Sequence, residues 1–402
     1  MVDICEKSLC TGCHACVNIC GKKAISMQPD SLGFLYPHID VALCVDCGLC
    51  AKICPVNHPP KAVYPTTVYA VQSVDRADLM SSTSGGAASV FSHYVINQGG
   101  VVYGCSGSDI THICHKRIDT FSELNQLKGS KYVQSEIGLV FQQVRDDLKA
   151  GKKVLFTGTP CQVAGLKNFL RKDYETLITV DLVCHGVPSQ QLLLDEIRRN
   201  KIISQDSSIT FRKKGTFAKD LKYGIYIEND NHLVYAKDYP KGYYIMGFMA
   251  GLFLRNSCYS CHWTTPNRCS DITLGDFWGL GNLKNEEMNK GRGISEVLLN
   301  TEKGTLFFEA CKSLFHWEER FVQEAINGNG RFKRPSERHP LYYKFQQMYM
   351  TEGFTRCSRK CLRRDYRRYY ITSLKQSLLK LLVKVPYARS TYRKLKNIFR
   401  HV

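Results

Sequence analysis

Cys10-Thr-Gly-Cys13-His-Ala-Cys16-Val-Asn-Ile-Cys20 and Cys44-Val-Asp-Cys47-Gly-Leu-Cys50-Ala-Lys-Ile-Cys54-Pro55 are two copies of one pattern. In each, three cysteines stand two residues apart and a fourth follows after three more. Three thiolates in a tight loop can grip three irons of a cubane, while the fourth cysteine lies beyond the loop and serves the cluster of the other run. The spacing therefore assigns one [4Fe–4S] cluster to Cys10, Cys13, Cys16 and Cys54, and a second to Cys44, Cys47, Cys50 and Cys20. Gly21 stands where a proline usually follows the fourth cysteine, which loosens the turn and removes no ligand. A zinc site pairs two CxxC units and has no use for a third cysteine at this spacing.

The rest of the composition agrees with an intracellular redox protein. Nineteen cysteines would mark a disulfide scaffold in a short secreted chain, but 402 residues that are 44% hydrophobic can build an ordinary core. The first twenty residues already hold five cysteines, which reads against a secretory leader. No apolar run approaches the ~18 residues of a spanning helix. The formal charge of +19 is concentrated at one end: residues 331–402 hold 20 Lys/Arg and three Asp/Glu, whereas residues 1–60 hold four and five. Thiolate-bound clusters add negative charge to that acidic head.

The expected fold class is α+β and α/β in succession. Residues 1–58 form a small dicluster ferredoxin domain, 59–66 a Pro-rich linker, and 67–330 an α/β region that binds a flavin and a cluster (67–145, then 146–330). A basic helical tail occupies 331–402. Within the α/β region, strands are expected at Val68–Val74, Gly100–Gly104, Val154–Thr157 and Leu177–Val183. They alternate with helices at Gly85–Asn97, Glu136–Ala150, Pro160–Leu170 and Ser189–Asn200. Ile209–Arg212 and Tyr223–Ile227 read as a strand pair with a turn near Asn229–Asn231.

Four loops carry candidate chemistry. Ser82-Thr83-Ser84-Gly85-Gly86 precedes a helix, where glycines admit close backbone approach and free N–H groups favour the phosphates of a flavin or nucleotide. A Ser-rich cap with no ligand is the plainer reading. Ser130, Lys131, Tyr132, Gln134 and Ser135 place a cation, hydroxyls and an aromatic in one loop, suited to phosphate and a flat ring, or to an ordinary polar turn. Thr157-Gly158-Thr159-Pro160-Cys161 follows a buried strand and opens a helix, with Thr159 as cap and Pro160 as first helical residue. Cys161 then meets the positive end of the helix, which favours a thiolate. A second strand ends at Cys184-His185-Gly186, and ligands gather at strand carboxyl ends in open α/β sheets. With Cys258 and Cys261, these thiols can hold a third [4Fe–4S] cluster, although spacing alone leaves Cys269 as an alternative fourth ligand. His185 is a candidate proton donor, with a satisfied structural histidine as the bland alternative.

In order and spacing, Ser82–Gly86, Gly129–Ser135, Gly158–Gln162, Cys184–Gly186, Cys258-x2-Cys261 and Asp271–Asp276 resemble the coenzyme F420 hydrogenase/dehydrogenase beta-subunit family. The resemblance covers roughly residues 67–335, with the ferredoxin module as an N-terminal fusion. It implies FAD beside a [4Fe–4S] cluster held by Cys161, Cys184, Cys258 and Cys261 rather than Cys269. It also implies electron passage between iron–sulfur carriers and a two-electron acceptor. No residue can be tied to deazaflavin recognition, so the acceptor does not follow from the fold.

The implied activity is a cytoplasmic oxidoreductase relaying electrons from a ferredoxin or similar donor through the clusters to FAD, then to an organic acceptor. The alternative is a non-catalytic electron-transfer subunit of a larger complex. Arg363–Tyr370 interleaves cations with aromatics, but no nucleic-acid fold accompanies it, so nucleic acid is not expected as a partner. Leu374, Leu378, Leu381, Leu382 and Val385 fall on one helical face with lysines off it. Such a segment can lie on an anionic membrane surface, or pack its leucines on the protein's own core.

Overall fold

The structure, a computed structural model, describes residues 3–198, 207–214, 221–229 and 232–383, and of these the side chains of 221, 222 and 375–383 are not included. Asn200, the middle of the expected turn at 230–231, and the basic stretch from Lys384 onward lie outside the described residues, as do the side chains of Leu378, Leu381 and Leu382.

The N-terminal module pairs an antiparallel hairpin, β1 (Ile25–Pro29) and β2 (Leu35–Ile39), with short helices at Ala15–Ile19 and Leu49–Lys52. The sequence repeat is also a backbone repeat. The residues on either side of the second cysteine are left-handed in both runs: Gly12 (φ 65°) and His14 (φ 61°) around Cys13, Asp46 (φ 54°) and Gly48 (φ 68°) around Cys47. Left-handed backbone at a non-glycine residue costs roughly 1–2 kcal/mol. Each loop carries one such residue, which gives the two loops the same turn around their central cysteine.

The main body is built on an eight-stranded mixed sheet. Its strands are β3 (Thr67–Ser73), β4 (Val101–Ser106), β5 (Cys114–Ile118), β6 (Val154–Gly158), β7 (Leu177–Leu182), β11 (Ile272–Asp276), β12 (Ser295–Leu299) and β13 (Phe315–Arg320). β8 (Ser207–Lys214), β9 (Leu221–Asn229) and β10 (His232–Asp238) form a separate antiparallel sheet. The order in the large sheet is β13-β3-β12-β11-β7-β6-β4-β5. The central run β11-β7-β6-β4 is parallel, and the remaining pairs are antiparallel.

The parallel centre is the part that local patterning specifies. β6 is an apolar run buried on both faces, as parallel strands covered by helices are. Helix Pro160–Leu170 begins where Thr159 and Gln162 form a reciprocal capping box with Pro160 in the first turn, and it ends at Arg171 in left-handed conformation. Alternation from Val68 to Gly104 would make β3 and β4 neighbours. They are instead separated by β12, β11, β7 and β6, because β3 pairs antiparallel with β12 and β13. Pairing between strands more than 200 residues apart leaves no local signature.

The segment after residue 331 also contributes to the core. Helix Tyr342–Cys361, broken at Gly353 (φ 71°, ψ 166°), buries Phe345, Phe354, Cys357 and Cys361 with Phe253 and Tyr244. Rings of Phe253 and Phe345 lie 5.4 Å apart. Helix Arg363–Val383 follows, with Tyr366 against Tyr243 and Tyr369 against Tyr239, while Arg363, Arg364, Arg367 and Arg368 are exposed.

Candidate functional site

All nineteen cysteines are free thiols. Cys10, Cys13, Cys16 and Cys54 line one small cavity, so the fourth cysteine of the second run closes on the first. Cys5 joins them there, within hydrogen-bond reach of Cys10 and Cys54, a neighbour that the spacing did not announce. On the other side, Cys20 and Cys50 share a small core with Ile25 and Val56, and Cys50 lies within electrostatic reach of Cys47 and Cys20. Cys47 is exposed and Cys44 half-buried. Among the described residues no three His, Cys, Asp or Glu side chains converge as ligands of a single metal ion do.

The second site follows from strand register. Gly158 at the end of β6 stands opposite Asp181 on β7, and each strand leads, three residues later, to a cysteine: Cys161 and Cys184. Leu182 is in turn paired with Leu274 on β11. A short 3-10 helix, Asn256–Ser260, brings in Cys258, with Cys261 just beyond it. Gly186 (φ +120°) makes this approach possible, since a Cβ there would lie 3.2 Å from that of Cys258. The Thr159 hydroxyl is 3.1 Å from Cys161 Sγ, and Gly186 N–H donates to Cys184 Sγ at 3.4 Å. Cys161, Cys184, Cys258 and Cys261 all line one cavity of about 560 Å³. Burial pushes the Cys161 thiol up to about 11 and that of Cys184 to about 12, each with further repulsion from its cysteine neighbours. Cys269 does not line the cavity; it is buried in the helix layer near Asp181.

The same cavity receives nearly all the expected cofactor residues: Thr83, Ser84, Gly86, Ser130, Lys131, Tyr132, Gln134, Ser135, Thr157, Gly158 and Thr159. Gly86 (φ 90°) opens helix Ala87–Asn97 toward it with no side-chain cap, so the first N–H groups of that helix have no side-chain acceptor. Tyr132 and Phe248 stack 5.0 Å apart, with Tyr223 beyond Tyr132, and form a flat aromatic wall. Hydroxyls, an uncapped helix end and a ring-lined wall beside four thiols match the donor set that an FAD next to a [4Fe–4S] cluster requires.

Several individual roles differ from expectation. Gly85 is absent from the lining. A Cβ on it would come 2.1 Å from the Val71 carbonyl oxygen and 2.6 Å from Ser295 N, so this glycine is needed for packing on β3 and β12. The Lys131 ammonium donates to the carbonyls of Leu127 (2.9 Å) and Lys128 (2.8 Å), which closes helix Leu124–Leu127, and burial lowers its pKa to about 8. Gln134 spans to the N-terminal module, donating to Thr11 O at 3.0 Å. His185 Nε2 lies 3.2 Å from the Phe248 carbonyl, and burial lowers its pKa to about 4. A neutral ring donating from Nε2 to a carbonyl is a satisfied structural histidine.

Sequence reading missed three contributors. His115 is buried with Nδ1 2.8 Å from Ser135 Oγ and Nε2 3.1 Å from Thr157 O, bracing two cofactor loops. Arg212 forms a two-pronged pair with Asp276 (2.7 and 3.3 Å) at the cavity wall. Arg255, three residues before Cys258, is fully buried. Nothing marked His115 or Arg212 beyond being polar residues within strands, whereas proximity to a CxxC was a usable hint for Arg255.

A mixed sheet whose parallel strands end at four thiols, joined to a module with two cysteine runs, defines an iron–sulfur electron-transfer protein. Residues 9–58 match the 4Fe-4S dicluster domain. Residues 151–320 match the C terminus of the coenzyme F420 hydrogenase/dehydrogenase beta subunit, and across that region the chain belongs to this family. Among solved structures it is similar to a chain of the F420-reducing [NiFe] hydrogenase complex from Methanosarcina barkeri, a xenon-derivatised form. Identity is 15% and the TM-score 0.44, over 76% of this chain and 94% of that one. A comparison with curated protein sequences finds no match.

Proposed function

We propose that this chain is an iron–sulfur flavoprotein oxidoreductase. It would accept single electrons from a ferredoxin or similar donor at its two N-terminal cluster sites. From there it would pass them to a third [4Fe–4S] site and an FAD, and deliver pairs to an organic acceptor, F420 or another. Bound FAD would supply the exchange between one-electron and two-electron chemistry. Cys161, Cys184, Cys258 and Cys261 would hold the third cluster. Gly86 and the hydroxyls of Thr83, Ser130 and Thr157 would serve the flavin's polar groups, with Tyr132 and Phe248 as its ring wall.

The observation that carries this reading is the shared cavity: four thiols and the flavin-type loops line one space of about 560 Å³. Its test is anaerobic purification, flavin extraction and addition of reduced ferredoxin, followed by an acceptor screen. The expected outcome is one FAD per chain, bleached by the donor and reoxidised by an organic acceptor. Absence of flavin would contradict the reading, and bleaching with no acceptor reduced would favour an electron-transfer subunit.

The proposed setting is the cytoplasm, with the basic tail touching an anionic membrane. Among the described residues no helix is long and apolar enough to cross a membrane. The exposed Arg363, Arg364, Arg367 and Arg368 and the exposed Ile371 and Leu374 support surface contact. Sedimentation with anionic liposomes should fall sharply with salt and with truncation after Tyr370; equal binding by both forms would refute it.

A further inference from the structure

Arg255 is 0% exposed, yet none of its hydrogen-bond acceptors is a carboxylate. Its Nε donates to Cys10 O at 2.7 Å, Nη1 to Gln134 Oε1 at 3.0 Å, and Nη2 to Leu35 O at 2.9 Å and to Cys10 Sγ at 3.7 Å. The guanidinium also lies 4.3 Å from the centre of the Tyr36 ring. Removing a cation from water costs several kcal/mol even after relaxation, and carbonyl dipoles and a ring face offset only part of that. The acceptor that can carry a full negative charge is the Cys10 sulfur. Arg255 also lines the large cavity beside Cys161 and Cys258, and acts electrostatically on Cys161.

The two N-terminal sites are therefore unlike. The Cys10 sulfur accepts from a buried cation, whereas at the other site the Cys20 sulfur accepts from the neutral Ala24 N–H at 3.4 Å and Cys47 is exposed. A thiolate-ligated cluster becomes more negative on reduction, and its potential rises with hydrogen bonding to sulfur and with nearby positive charge. We propose that Arg255 raises the reduction potential of the cluster at Cys10, Cys13, Cys16 and Cys54 above that of the cluster at Cys20, Cys44, Cys47 and Cys50. Electrons entering at the exposed site then run downhill toward the cavity. The inference rests on the iron–sulfur reading and does not depend on flavin or acceptor. Arg255 is a positioning residue: it touches a ligand and sets the charge around it.

The test is an EPR-monitored redox titration of the full chain, purified anaerobically, as wild type, Arg255→Gln and Arg255→Lys. The glutamine variant should lower the reduction equilibrium of one N-terminal cluster about tenfold, or about 59 mV for one electron. The other N-terminal cluster should stay put, and lysine, which keeps the charge, should recover most of the shift. Labelling the wild type with ¹⁵N-arginine should add a nitrogen coupling to the higher-potential signal, a readout that needs no variant to fold. Equal potentials in wild type and Arg255→Gln, equal shifts for Gln and Lys, or no arginine coupling on that signal would overturn the inference while leaving the clusters intact. Absence of both N-terminal cluster signals from folded wild type would remove the iron–sulfur reading itself, and the inference with it.

Discussion

Gly165 and Cys13 approach so closely that a methyl group built on the glycine would lie 3.0 Å from both Cβ and Sγ of the cysteine. Gly165 lies four residues after Cys161 on helix Pro160–Leu170, hence one turn further along the same face. One helix thus presents Cys161 to the large cavity in its first turn and presses its second against a cysteine of the N-terminal module. Burial raises the Cys13 thiol to about 12, with Cys10, Cys54 and Cys161 adding to the effect, which places the two thiol sets within electrostatic reach. The same joint is held by Asn18 Nδ2 donating to Gly138 O at 2.8 Å and Gln142 Nε2 donating to Asn18 O at 2.8 Å.

Gly165→Val should loosen that joint. Overpacking a filled contact costs roughly 1–3 kcal/mol. Denaturant unfolding should show the loss, and the linker at 59–66 should be cleaved faster by protease, with the N-terminal iron content retained. Stability within about 0.5 kcal/mol of wild type, as for a neutral surface change, would mean that the contact is slack.

Flavin retention separates a lining residue from a packing residue. The Thr83 and Ser130 hydroxyls sit 3.3 Å apart across the cavity wall, so Thr83→Tyr should fill the space between the loops. Flavin per chain should fall toward zero with iron unchanged. Gly85→Val should instead lower folded yield, because its side chain meets the Val71 and Ser295 backbone. Full flavin in Thr83→Tyr would move the FAD site elsewhere.

His115 makes stability depend on pH. Burial lowers its pKa from 6.5 to about 4 in the folded chain. The unfolded chain therefore takes up this proton first, so stability is full above about pH 6.5 and declines as pH falls toward about 4, below which both states are protonated. A depression of this size corresponds to about 3 kcal/mol. Denaturation at pH 7 and pH 4 should show that much more loss for wild type than for His115→Gln. Equal losses would mean that His115 titrates normally.

What the sequence disclosed was local chemistry. Cubane geometry imposes its spacing within a dozen residues, so Cys54 could be grouped with Cys10 before any coordinates, and both line one cavity. The capping box at Thr159–Gln162 and the buried run Val154–Gly158 likewise carry their structure in adjacent residues, and helix Pro160–Leu170 has the expected bounds. Parallel neighbours β6 and β7 then bring Cys161 and Cys184 to the same edge. Illegible features depend on distant partners. Gly85 looks like a phosphate-loop glycine until β3 and β12 close on it, and Gln134 like a cofactor contact until Thr11 takes its amide. Phe345 and Phe354 sit in a segment whose basic charge hides its apolar face, which is recognisable only once Phe253 covers it.

The central claim is that three thiol sets hold three cubanes. Anaerobic iron and sulfide analysis of the purified chain tests it most directly, and the account predicts about twelve irons. Cys184→Ser should lose about four of them, and Cys269→Ser none. About eight irons in wild type, unchanged when Cys161, Cys184, Cys258 and Cys261 are all replaced by alanine, would contradict it.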